Sequence, residues 1–211
     1  QRVRLLSPQI PFHSSRLYNE AARQAKGELL VCLRDDLEVL SGDWLSEMAG
    51  YAMQPQIGAV GAKLLYPDYT VRHAGIALDA GEVTGYAFRH FADADEGYFR
   101  RMLIASNVSV VSGDCLMVRR DVFDSVQGFN ESLAFAFYDV DFCIRVREKG
   151  LRNVLLPFVR LIQREAAADA ADPEEAERQT AIDRYYMQKH WGELLRQDPF
   201  FPVRFHYTRS I

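Results

Sequence analysis

Short apolar runs alternate along this chain with segments whose apolar positions recur every three or four residues. "ELLVCL", "IGAVGAKLLY", "AGIALDAG", "VSVVS", "CLMVRR" and "RNVLLP" are runs of strand length. A continuous run such as "ELLVCL" is the pattern of a strand covered on both faces. "RLYNEAARQAKG" instead places Leu17, Ala21, Ala22 and Ala25 at helical spacing, with Gly27 as its stop. "DWLSEMAGYAM" gathers Trp44, Leu45, Met48 and Ala52 on one helical face, with Asp43 as N-cap. "DVFDSVQGF" predicts a short helix ended by Gly128, and "DVDFCIRVREKG" a helix that opens at Asp139 and closes at Gly150. Residues 80–106 carry no clear period and are expected to be loop, with a short helix near "EGYFRRML".

Strand and helix patterns in alternation predict an α/β fold with a largely parallel sheet flanked by helices. At "REAAADAADPEEAERQ" the composition turns to Ala and acid. That marks a link, followed by a helix with Asp172 as N-cap, Pro173 at its first position and Glu175 at its third, running to about Lys189. The expected division is therefore a main domain over 1–165 and a linker with a helical extension over 166–211.

Composition narrows the function classes. The chain has 211 residues, 48% of them hydrophobic, enough for one sizeable core. The net charge of -4 lacks the basic footprint of a nucleic-acid binder. No apolar stretch approaches the ~20 residues of a membrane span, and "QRVRLLSPQIPF" lacks the apolar region of a signal peptide. Cys32, Cys115 and Cys143 lie among apolar residues without metal-ligand spacing and read as reduced core residues. Reduced cysteines of this kind lead to the expectation of a cytosolic protein.

The candidate chemistry is carboxylate chemistry. Asp35 and Asp36 follow directly on an apolar strand. They are either a solvated strand end or oxygen ligands for a divalent cation at the carboxyl edge of a sheet, where open α/β folds bind ligands. Asp139 and Asp141 fall in the first turn of a helix, where acids offset the helix dipole and where a carboxylate can also act as general base. Asp141 and Arg145 stand four apart and can pair, which leaves Asp139 the freer of the two. In "VVSGDCLMVRR", Gly113 serves either a tight turn or a close approach of substrate to backbone. His73 reads as a surface or capping histidine.

Taken in order, "NEAARQAKGELLVCLRDDLEVLSGDWL", "IGAVGAKLLYPDYTVRHAGIAL", "VSGDCLMVRRDVFDSVQGFNE", "AFYDVDFCIRVREKGLRNVLLP" and "WGELLRQDPFF" resemble family 2 glycosyltransferases of the GT-A fold, in particular the rhamnosyltransferase-like enzymes of O-antigen and cell-surface polysaccharide synthesis. The resemblance covers most of the chain. It implies a Rossmann-related α/β domain that moves a sugar from a nucleotide-diphosphate sugar to a hydroxyl of a saccharide or lipid-linked saccharide acceptor, with inversion. It implies Asp36, with Asp35, as ligands of Mg²⁺ or Mn²⁺ in a DxD-type motif. It implies Asp139 as the base, Arg34, Asp35, Gly113, Asp114 and Arg164 near the nucleotide sugar, and His73 and Asp141 near the acceptor. The location it implies is the cytoplasm or the inner face of the membrane.

Several residues depart from that pattern. Arg34 stands where the family has Asn; as a cation it either binds phosphate or pairs with an acid and displaces the metal. Gln163 and Arg164 stand where histidines are expected, which weakens the metal site or makes the metal dispensable, and two arginines can neutralise a diphosphate instead. Asp114 occupies a position usually small, and Tyr138 one where Glu is common. The family's first nucleotide-binding strands have no counterpart in this sequence, so a domain incomplete at its N-terminus is expected, with an exposed sheet edge able to pair two copies. The competing reading is a degenerate, non-catalytic domain that acts as a binding module.

Overall fold

The computed structural model describes residues 13–164 and 173–201. Helix α1 (Ser14–Gln24) leads into β1 (Leu29–Leu33) and β2 (Leu37–Val39), followed by α2 (Trp44–Ala52) and the long strand β3 (Ile57–Leu65). Four short strands come next: β4 (Val71–His73), β5 (Ile76–Asp79), β6 (Val83–Tyr86) and, after a single 3₁₀ turn at Tyr98–Arg100, β7 (Ser106–Val108). The chain continues through β8 (Cys115–Arg119), α3 (Arg120–Ser125), α4 (Tyr138–Glu148), β9 (Arg152–Gln163) and α5 (Pro173–Leu195).

The main sheet is mixed, in the order β1-β8-β3-β9-β2, with β4 on β3 and β7 on β9. Only β3 and β9 pair in parallel among the described residues; β1/β8, β3/β8, β3/β4, β7/β9 and β2/β9 are antiparallel. The α/β architecture is as expected, but the sheet is not largely parallel by pairing. β8 inserts between β1 and β3 and runs against both, so β1, β3 and β9 share one direction without all touching. Helix–strand alternation detects crossovers between like-directed strands and is blind to a short strand that slots between them. Strand β6 lies in the stretch expected to be loop and forms a hairpin with β5.

Two apolar layers flank the sheet. One gathers Phe123, Phe129, Leu133, Phe142 and Ile144 against Val108, Val111 and Leu116, with Met187, Leu195 and Phe201 closing it. The other places Met48 and Ala52 of α2 on Val60, Leu64, Met117 and Leu156. All three cysteines are buried and unpaired. Strand β1 differs from its expected double coverage: Leu30 and Cys32 are buried, while Val31 and Leu33 face outward and are exposed. Asp43 takes the N-cap position of α2 without a capping hydrogen bond. The expected cap at Asp172 lies outside the described residues. Helix α5 continues past Lys189 to Leu195, whose side chain is buried and ties the last turn to the core.

Candidate active site

A cavity of about 580 Å³ opens between the end of β1, the β5–β6 hairpin, the turn before β8 and the N-terminus of α4. The segment Phe135–Val140 forms one wall, with Arg34, Tyr86, Ser112 and Asp114 facing it. Helix α4 starts abruptly because Phe137 is left-handed, with φ of 60°. A non-glycine residue rarely holds that conformation, and such strain gathers at functional sites. The turn aims Asp139 into the cavity from the positive end of the helix.

The Asp139 carboxylate is clasped by backbone: Oδ2 accepts the Gly113 N–H at 2.8 Å and Oδ1 its neighbour Val140 N–H at 2.9 Å. Burial nevertheless pushes its pKa up to about 6, against those two donors and with help from the negative charge of Asp114. A carboxylate that is half-buried, fixed by backbone and half-protonated near pH 6 is suited to accept a proton. Gly113 is required here for space. A Cβ on it would lie 2.8 Å from the Tyr138 ring, so the close neighbour is the protein's own side chain.

Arg34 and Asp36 form a two-pronged pair, Nε to Oδ1 at 3.0 Å and Nη2 to Oδ2 at 3.1 Å. Gln163 Nε2 donates to the same Oδ2 at 3.0 Å. Burial opposes ionisation of Asp36, but the bonds from Arg34 and Gln163 outweigh it and hold its pKa below the usual carboxylate value. Asp114 lies on the other side of the guanidinium, with Oδ1 3.7 Å from Arg34 Nε, and its carbonyl accepts the Arg34 N–H at 3.0 Å. Burial raises the Asp114 pKa, and Arg34 only partly offsets this.

The structure thus brings Arg34, Gly113, Asp114 and Asp139 together, with Asp36 behind Arg34, and leaves Asp35, Arg164, His73 and Asp141 elsewhere. Asp35 is exposed at the strand end and does not line the cavity. Arg164 turns away from the cavity to Glu38, with Nε 2.7 Å from the carboxylate, so it does not join Arg34 in an arginine pair. His73 is not at the surface: it is 1% exposed and stacks on Tyr86, and among the described residues neither ring nitrogen has a hydrogen-bond partner. Burial, and then Arg72, lower its pKa to about 3, so it stays neutral. Asp141 is buried and spends both oxygens inside the protein, accepting from Arg145 Nε at 2.7 Å and Trp191 Nε1 at 2.9 Å. The first of these pairs is the one its spacing predicts. Tyr86, Thr84 and the wall Phe135–Phe137 are cavity residues that sequence reasoning did not single out. For the wall the signal was the aromatic run "FAFY" before the acids.

The donor set does not fit a divalent cation as arranged. Both Asp36 oxygens face a guanidinium, Asp35 points to solvent, and Gln163 offers its amide N–H to the same carboxylate. Among the described residues no three His, Cys, Asp or Glu side chains converge on a possible metal position.

A mixed sheet whose strand ends and helix N-terminus enclose an acid- and arginine-lined cavity defines an α/β domain of the GT-A kind. The sequence matches the glycosyltransferase-like family 2 over residues 1–183, and the chain belongs to that family. It is 40% identical over 205 residues to the uncharacterized protein y4gI of Sinorhizobium fredii, and 39% identical over 166 residues to the O-antigen biosynthesis protein RfbC of Myxococcus xanthus. These alignments take in 95% and 77% of this chain but only 22% and 13% of the two relatives. The crystal structure of GalNAc-T7 with UDP, GalNAc and Mn²⁺ superposes with a TM-score of 0.60 at 12% identity, over 88% of this chain and 38% of that one. That likeness is one of fold. No helix among the described residues is long and apolar enough to cross a membrane.

Proposed function

We propose that this chain carries the catalytic centre of an inverting sugar transferase, with a nucleotide-diphosphate sugar as donor and a saccharide hydroxyl as acceptor. One observation carries the reading: Asp139 is held by two backbone N–H groups at the cavity wall with its pKa raised to about 6. In the reaction the acceptor oxygen forms a bond to the anomeric carbon as that carbon's bond to the diphosphate oxygen breaks. The acceptor proton passes to Asp139, and the diphosphate leaves with the bonding electron pair. Attack from the face opposite the leaving group inverts the anomeric centre. The Phe135–Phe137 wall and Tyr86 offer apolar surface for a sugar ring. Membership of the family supports the donor class, and the likeness to the Myxococcus O-antigen protein supports a saccharide acceptor in surface-polysaccharide synthesis.

The test is release of nucleoside diphosphate from UDP-, dTDP- and GDP-sugars by the intact protein with saccharide acceptors. Asp139→Asn is expected to lower turnover by roughly 10²- to 10⁴-fold with the fold intact. A wild type that transfers from none of the donors, or a variant that transfers as well as wild type, overturns the reading in favour of a binding module.

A further inference from the structure

We propose that Arg34 takes the place of a divalent cation in this cavity, so that the donor's diphosphate is bound by a guanidinium and Asp36 serves to hold that guanidinium rather than a metal. The inference takes its ligand class, a diphosphate, from the proposed function; its account of the metal stands apart from it.

Three observations lead here. Of the pair, Arg34 lines the cavity and Asp36 does not. The arginine side chain is 33% exposed and the aspartate 7%, so an incoming anion meets the cation first, with the carboxylate behind it. Gln163 then occupies the flank of Asp36 from the far strand, which fixes the carboxylate as a backing for Arg34. A divalent ion would have to displace both donors and sit against a positive charge. An arginine so backed is fixed in orientation, and its charge stands at the cavity wall, where charge-assisted hydrogen bonds favour phosphate oxygens. Arg72 adds a second positive charge to the field at Asp114.

Two titrations of the 211-residue chain test this. In the first, Mn²⁺ alone is added and the free ion is read by electron paramagnetic resonance. In the second, inorganic pyrophosphate is added in EDTA and read by calorimetry. Wild type is expected to take no stoichiometric Mn²⁺ and to bind pyrophosphate without metal. Arg34→Asn is expected to weaken pyrophosphate about tenfold or more, the loss of a charged hydrogen-bonding group, and to gain a Mn²⁺ site on the released Asp36. If Arg34→Asn does not fold, Arg34→Lys decides: it keeps a cation without the guanidinium and is expected to bind pyrophosphate in EDTA more weakly than wild type. Stoichiometric Mn²⁺ on wild type overturns the proposal, as does pyrophosphate binding that is absent without metal or that is unchanged in Arg34→Asn or Arg34→Lys. None of these readouts involves transfer, so failure of the Asp139 test and failure here are separately visible.

Discussion

Asp139 sets the pH behaviour at the scale of single residues. Its pKa stands near 6 in the folded chain against about 3.9 unfolded. Between these values the folded protein binds the extra proton, so stability falls as pH rises through the window from about 4 to 6. The full cost above it is about 3 kcal/mol. Transfer runs the other way, because only the carboxylate accepts a proton. Its acid limb is expected near pH 6, and the urea stability of Asp139→Asn relative to wild type is expected to improve from pH 4 to pH 7. A limb near pH 4, or a stability difference that does not move with pH, would mean that the cavity wall does not raise the carboxyl's pKa. The acid itself was legible, since two carboxylates in one helical turn stand out and the Arg145 spacing marks Asp141 as the paired one. Its burial was not, because the Gly113 N–H comes from 26 positions away. The Arg34–Asp36 pair lies two positions apart and was foreseen as one alternative. Gln163, 127 positions from Asp36, was named only as a departure from a pattern.

At the scale of elements, α5 holds the cavity wall. Asp183 is fully buried and accepts the N–H groups of Phe135 at 2.8 Å and Ala136 at 2.9 Å, with Gln179 Nε2 on its other oxygen at 3.0 Å. Three residues along, Tyr186 OH meets Asn130 Nδ2 at 2.8 Å, and Trp191 reaches Asp141 on α4. One helix thus fixes the segment whose strained turn presents Asp139. Asp183→Ala takes the acceptor from the N–H groups of Ala134, Phe135 and Ala136 and is expected to cost about 2–4 kcal/mol in urea denaturation. Asp183→Asn, which keeps an acceptor, is expected to cost less and to retain more transfer. Equal stability of both variants with wild type would show that the wall stands without the helix. The helix was legible from its Pro and acid start, but its grip on the wall was not. A buried Asp mid-helix reads as a surface acid until its distant partners are known. Strand β5 was legible in "AGIALDAG", but its hairpin partner β6 was missed for a related reason: a four-residue strand with a glycine in it leaves no period to count.

At the scale of the whole molecule, β1 and β2 are the two edges of the main sheet among the described residues. Strand β1 pairs with β8 and with nothing else among the described residues, and it shows Val31 and Leu33 on its outer face at 37% and 41% exposure. An open strand edge beside an apolar stripe is a template for another strand, and the stripe adds the ordinary gain from burying apolar surface. Net charge of only -4 on 211 residues gives little long-range repulsion to oppose contact. The chain by itself is therefore expected to self-associate through β1 as its concentration rises, giving a mass by light scattering above the 24.1 kDa of one copy. Val31→Lys with Leu33→Glu places charge on that face without touching the cavity or the buried Leu30 and Cys32. It is expected to return the chain to one copy while leaving pyrophosphate binding unchanged. A wild type that stays at one copy at high concentration would mean that the β1 edge is covered, and self-association that survives the double substitution would place the contact on another face.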